Sequence, residues 1–438
     1  MFFDQRRVLT EDAPRRPYQN NTSTASFECP LLKGLHYGQR KLMLSEVEFL
    51  VQISMRNRSC GSGASPKKVL VVYAGAACGL HLPFLFSLFP ALDFVLIDPA
   101  PFCPQVTEIA SKEGTCVLEL IEGLCTAELC LRIRRTYHET HDIFLVSDIR
   151  SGEPTGMSLN QEHTDMIQQD NNAQREWCFS LEVEAAMLKF HPPYPAAKDS
   201  DPANYKAQDA TVEEYTYLDG TQLLGVWAPK SSSEVRLVVV GPFKRGYEAP
   251  TRRYYCTVHE EQCYAYNMDN RYEKDCAAER LILETYLSAF PGAYKSVEQL
   301  SKTLSVRLEY PLFCPLEPGF TEQHARWVTL LYSTRKPSAL QYFDLLKNDM
   351  PVEQVAGLVT KYKDCCEIPA GVKVGEIELT PHFWSVFAAG DFAVVYCFPV
   401  VRWGWKQHAH RRQPNKQQGE GEKRHCRFAG KKRTANAA

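Results

Sequence analysis

Hydrophobic and polar positions switch between two periods along this chain. In "GQRKLMLSEVEFLVQISM", Leu42, Leu44, Val47, Leu50 and Val51 recur with helical spacing and fall on one face. A polar linker, "RNRSCGSGASPKK", then leads into short apolar runs separated by turn residues. "VLVVYAG" from Val69 and "ALDFVLID" up to Asp98 read as buried strands, with the turn Gly75-x-x-x-Gly79 and a short helix between them. "TCVLELI" predicts a third strand, a helix follows from about Ala127, and "DIFLVSD" predicts a strand ending at Asp148. A helix around residues 173–186, strands at 187–190 and 233–241, and helices within 275–310 continue the pattern. Strands alternating with helices predict an α/β, Rossmann-like fold with a doubly wound, mostly parallel sheet. Residues 31–310 are its domain, after a flexible polar arm at 1–30. Residues 311–401 mix both periods and form an α+β extension, and 402–438 are a basic, disordered tail.

Composition narrows the classes. At 438 residues with 44% apolar side chains the chain can bury one or more sizeable cores. The long apolar stretch from Val69 to Ile97 is interrupted by Gly75, Gly79, His81, Pro83, Pro90 and Asp93, which excludes a membrane helix. The opening "MFFDQRRVLTEDAPRR" lacks the apolar core of a secretion signal. Sixteen cysteines scattered through such a chain read as reduced thiols. No Cys-x-x-Cys pair occurs and Cys125 with Cys130 lacks a partner pair, so no metal is expected. The net charge of -2 hides a sorted distribution: from Val401 onward eleven Lys and Arg stand against Glu420 and Glu422, a surplus of nine that leaves the remainder eleven charges negative. That tail reads as a solvated end, as a nuclear-import signal at Lys431, Lys432 and Arg433, or as a nucleic-acid arm.

The glycine turn is the first candidate for chemistry. Gly75 and Gly79 let backbone approach a ligand, and Asp98 at the end of the next strand offers a carboxylate to ribose hydroxyls. Ala76, Ala77 and Cys78 between the glycines give no pyrophosphate fingerprint, so a nucleoside without phosphates fits better than a dinucleotide. A glycine turn of any doubly wound fold reads the same way. Four further charges fall at element ends or in apolar settings: Lys41, Asp148, Lys189 and Glu234, the last also open to a salt bridge with Arg236 or Lys230.

With these residues in place, the segments "YGQRKLMLSEVEFL", "VVYAGAACGLH", "LID", "LVSDIRS", "LKFHPPYP", "SSSEVRL" and "HEEQCYAYN" stand in an order that resembles the poxvirus-type cap-specific mRNA (nucleoside-2'-O-)-methyltransferase family. In the viruses that protein is also the stimulatory subunit of the poly(A) polymerase, and the kinetoplastid cap 4 2'-O-methyltransferases are the closest expected kin. The resemblance implies an S-adenosylmethionine-dependent methyltransferase fold and a Lys-Asp-Lys-Glu tetrad at Lys41, Asp148, Lys189 and Glu234. Lys189 would take the proton from a ribose 2'-hydroxyl, with Lys41 as second cation and the two acids orienting the pair. S-adenosyl-L-methionine would lie against Tyr73, Gly75, Gly79, His81, Asp98 and Asp148, with Gln39 near its tail. Capped mRNA or capped small RNA would be held by Tyr194 stacking on the methylated guanine and Glu260 on its edge, with Arg150 and Arg236 on phosphates. The viral pocket's second acid and second ring fall at Ala196 and near Ser231, so Tyr18 or Asp199 would rebuild it.

The implied function is methylation of a cap-proximal ribose, the second nucleotide favoured, in a nuclear hypermethylated cap 4, alongside capping-complex proteins and away from membranes. An RNA-binding accessory or stimulatory subunit of an mRNA-processing polymerase or capping complex is the alternative from another class. A methyltransferase for a base or protein acceptor is a third reading, although it would not require two lysines flanking Asp148.

Overall fold

The computed structural model describes residues 1, 3–17, 38–59, 67–151, 161–194, 214–229, 232–244, 246–308, 310, 313–322 and 325, and the short pairs 373–374 and 377–378. Most of the expected extension at 311–401, all of the expected tail, and Tyr18, Ala196, Asp199, Lys230 and Ser231 lie outside the described residues.

The first long helix, α1 (Gly38–Ser59), precedes β1 (Lys68–Ala74), α2 (Leu82–Leu88), β2 (Leu92–Asp98) and α3 (Pro104–Ala110). Then come β3 (Val117–Glu122), α4 (Ala127–Tyr137), β4 (His141–Ser147), α5 (Gln161–Leu181) and β5 (Ala185–Phe190). The second half adds β6 (Glu214–Leu218), β7 (Thr221–Leu224), β8 (Val235–Val240), β9 (Thr251–Tyr255), α6 (Cys256–Met268), α7 (Arg271–Ala289) and α8 (Val297–Arg307). Seven strands form one sheet in the order β3-β2-β1-β4-β5-β8-β7. β1 to β5 run parallel, and β8 is antiparallel to both β5 and β7. β6 and β9 form a separate antiparallel pair. The mixed α/β class with a mostly parallel sheet flanked by helices is therefore as the alternation predicts.

Strand parity explains the layers. Val69, Val71 and Tyr73 of β1 face a core shared with α1, α2, α7 and α8. Leu70, Val72 and Ala74 face the opposite core beside α4 and α5. Both faces are covered, which is why the run is apolar at every position. The order of strands reverses between β1 and β4, opening a crevice at their carboxyl ends.

α1 departs from the one-sided helix that its spacing predicts. Leu42, Leu44, Val47, Leu50 and Val51 are buried, but so are Met43, Phe49 and Ile53 around the rest of the helix. It is enclosed by the sheet, by α7, and by the N-terminal segment, and its buried ions each find a partner. Arg40 donates to Glu279 at 2.8 Å, and Arg7 pairs with Glu48 while donating to the Leu224 carbonyl at 2.9 Å. The Leu9 N–H also bonds to the Gln222 carbonyl, so the first part of the expected flexible arm is packed against the body. The helix expected at 173–186 instead ends at Leu181, because Glu182 takes a left-handed φ of 50° and the chain turns directly into β5. No helix among the described residues is long and apolar enough to cross a membrane, and no disulfide joins the described cysteines.

Candidate functional site

Strand ends bring the four expected charges together. Lys41 lies in the first turns of α1, Asp148 follows β4, Lys189 is in β5, and Glu234 precedes β8. β5 and β8 pair so that Lys189 lies opposite Arg236, two cations on one face of adjacent strands. Like charges in that position repel, and the two carboxylates offset the repulsion. Lys189 Nζ is 3.3 Å from Asp148 Oδ1 and 3.4 Å from Glu234 Oε2, while Lys41 Nζ donates to Glu234 Oε1 at 2.9 Å. Arg236 Nη1 is 2.7 Å from Asp148 Oδ1, and its Nη2 is 3.8 Å from Glu234.

These cations hold both carboxyls below the usual range even though burial alone would raise them. For Asp148 the largest of the lowering influences is Arg236, then Lys189; for Glu234 it is Lys41, then Arg236 and Lys189. The Glu234 ion pair with Arg236 that the sequence left open is present. Arg236 itself corrects an expectation: its side chain is 5% exposed and committed to Asp148, so it cannot reach a phosphate. Arg150 is better placed. It is 24% exposed, with only long contacts of 3.6 Å to Asp170 and 3.9 Å to Glu234.

The glycine turn is tied to this cluster by backbone. Gly75 has a φ of +83°, and a Cβ there would lie 2.9 Å from the Asp148 carbonyl carbon. Gly79, with φ +71°, would meet a Leu82 methyl at 2.9 Å. The chain's own packing therefore requires both glycines. Asp98, half-buried, accepts the Ala77 N–H at 3.0 Å and the Ala100 N–H at 2.8 Å, which fixes the turn. Tyr73 and His81 are buried beneath it. The Tyr73 hydroxyl donates to Glu46 Oε1 at 2.5 Å and His81 Nε2 lies 2.9 Å from the same oxygen. Burial, then the Glu46 charge, pushes the Tyr73 phenol well up. Glu46 was not singled out in the sequence, although an acid inside "LMLSEVEFLV" is a signal that an apolar helix has a polar partner. Gln39 is exposed at the start of α1.

Tyr194 lies just beyond β5, and Glu260 is on α6. The Tyr194 ring is 4.5 Å from the His191 ring, and Tyr194 feels the Glu260 charge. Burial, then neighbouring Glu261, raises the Glu260 carboxyl to about 7. His191 Nε2 is 2.8 Å from the Ser233 hydroxyl, next to Glu234, so this group of residues adjoins the cation and carboxylate cluster.

A family model described as "Poly A polymerase regulatory subunit" matches residues 18–284, well over half of the chain. No curated protein matches it. The match is to a regulatory subunit and not to a methyltransferase family, which corrects the resemblance drawn to cap 2'-O-methyltransferases, the methyl-transfer function and the enzymatic role.

Proposed function

The chain belongs to the poly A polymerase regulatory subunit family, and from that premise we propose that it is an RNA-binding accessory subunit that stimulates an mRNA-processing polymerase. The family match carries the reading. The cluster supports it: Lys41, Lys189, Arg150 and Arg236 face Asp148, Glu234 and Asp170, a local surplus of one positive charge. Three of the four cations keep partial exposure, at 16% for Lys41, 15% for Lys189 and 24% for Arg150. Such a surface attracts phosphates while its internal pairs keep it rigid. Arg150, with the longest contacts, is the group we assign to RNA phosphate.

The finer partner is the capped end of mRNA, with Tyr194 as stacking ring and Glu260 as edge acceptor. A nucleus-bound protein is the matching location, resting on the basic sequence of residues 402–438. S-adenosyl-L-methionine is kept as a ligand of the glycine turn. Exposed Gln39 and half-buried Asp98 offer it polar atoms, while Gly75 and Gly79 form the turn against the Asp148 backbone and Tyr73 and His81 support it from beneath.

Sedimentation of the full chain with a poly(A)-adding polymerase and capped or uncapped RNA tests the reading. A ternary complex in which Arg150→Ala weakens the RNA contact is expected. Failure of the chain to join either polymerase or RNA would overturn it. Equilibrium dialysis against labelled S-adenosylmethionine tests the turn separately, and undiminished binding by Asp98→Ala would remove Asp98 from that assignment.

A further inference from the structure

We propose that His191, Cys256 and Glu260 form a divalent metal site of the zinc class. Their ligand atoms all lie within 4.8 Å of one another, and they are the one such group of three among the described residues. The inference does not depend on the polymerase reading, although it shares Glu260 with the cap contact proposed above.

Two elements build the site. Cys256 and Glu260 are four residues apart on α6, so they project from one helical face. His191 follows the last residue of β5 and brings the third ligand from the sheet. Its ring is already set for a metal. Nδ1 lies 2.5 Å from the Pro192 carbonyl, which can only accept, so Nδ1 carries the proton and Nε2 keeps its lone pair. Outer-shell donation to a carbonyl is how metal-binding histidines are oriented. Nε2 now receives the Ser233 hydroxyl at 2.8 Å, a bond that an ion would replace. The second histidine nearby is excluded from the set, as His259 Nε2 is held by the Ser233 carbonyl at 2.6 Å and Nδ1 lies 3.1 Å from Gln222.

The donor types select the ion. One thiol, one imidazole and one carboxylate suit zinc or cobalt, whereas calcium and magnesium require oxygen throughout. Tetrahedral zinc, with bonds of about 2.0–2.3 Å, places its donors roughly 3.3–3.7 Å apart. The three atoms would therefore close by about 1 Å, a movement that half-buried Glu260 can supply by side-chain rotation. Glu260 makes no salt bridge among the described residues, so a cation would meet a half-buried acid that has no cationic partner there. Three protein ligands leave the fourth position to water. An ion there would also occupy the carboxylate assigned above to the cap guanine, so metal and cap would compete for Glu260.

The test is cobalt titration of the full chain after removal of bound metal by a chelator. One equivalent is expected to bind with a thiolate-to-cobalt charge-transfer band and to raise the melting temperature. Cys256→Ser should abolish the band, and His191→Ala and Glu260→Gln should weaken binding by more than the roughly 10–100-fold typical of losing an outer-shell partner. Cys263→Ser, on the same helix but outside the triad, should keep the band. A wild-type chain that shows no thiolate band, or a Cys256→Ser chain that retains it, would overturn the proposal. The wild-type spectrum decides without any variant that might fold poorly.

Discussion

Replacing Glu234 with glutamine separates an ion-paired RNA surface from a ligand-contacting acid. Glu234 is the carboxylate shared by the cluster, touching Lys41 at 2.9 Å, Lys189 at 3.4 Å, Arg236 at 3.8 Å and Arg150 at 3.9 Å. Glu234→Gln keeps the volume and removes the charge. Breaking a fully buried pair costs about 3–5 kcal/mol, and the partial exposure of this pair, 21% for Glu234 and 16% for Lys41, reduces that to about 2 kcal/mol. The melting temperature should fall by about 4–8 °C. RNA binding should move in the opposite direction. With Lys41 released, the surface gains about one phosphate contact, so the slope of log affinity against log salt steepens by about 0.7. Affinity should rise by about 1 kcal/mol, roughly fivefold. Fluorescence anisotropy of a labelled single-stranded RNA across a salt series, with calorimetry on the same samples, reads both effects. If Glu234→Gln binds RNA more weakly with an unchanged melting temperature, Glu234 contacts the ligand and the ion-pair account of the cluster is wrong.

Acid should weaken the same cluster. Because the Asp148 and Glu234 carboxyls are held below their ordinary values when folded, their stabilisation is present above about pH 4.5 and is lost as pH falls. Denaturant titrations at stepped pH should show a shallower acid loss for Glu234→Gln than for the wild type. Gly75→Ala forces a left-handed φ on a residue with a Cβ and drives that Cβ into the Asp148 backbone, so a loss of about 2 kcal/mol or more is expected in urea unfolding. Glu46→Ala leaves the Tyr73 hydroxyl and the His81 ring buried without their shared acceptor, and the same assay should show about 2–5 kcal/mol lost. Arg150→Ala should reduce the salt slope of RNA binding by about 0.7 with little change in stability, since its contacts are long and partly exposed.

The positions of Lys41, Asp148, Lys189 and Glu234 were legible because each falls at an element end that apolar periodicity locates. What they do to one another was not. Arg236 reads as a surface phosphate contact in one dimension, and only the β5 to β8 register puts it opposite Lys189 and into Asp148. Glu46 was hidden for a related reason: its partners, Tyr73 and His81, come from β1 and the turn beyond it, 27 and 35 residues away. α6 and the β6–β9 pair were missed because "TRRYY" and "CTVHEEQCYAYNM" carry aromatic and polar residues without a clean period. That helix bears both Cys256 and Glu260, so the metal triad could not be assembled from spacing alone. The glycine turn was located correctly, but Gly75 answers to the backbone of Asp148, a contact between residues 73 apart in sequence that no local motif encodes.

The most direct test of the regulatory role is the length of the adenylate tails made by a poly(A)-adding polymerase from the same source, with and without this chain, on one defined RNA primer. Longer tails when the chain is present, with the gain reduced by Arg150→Ala, are what the account predicts. Tails of equal length at saturating chain, under conditions where the polymerase itself is active, would contradict it.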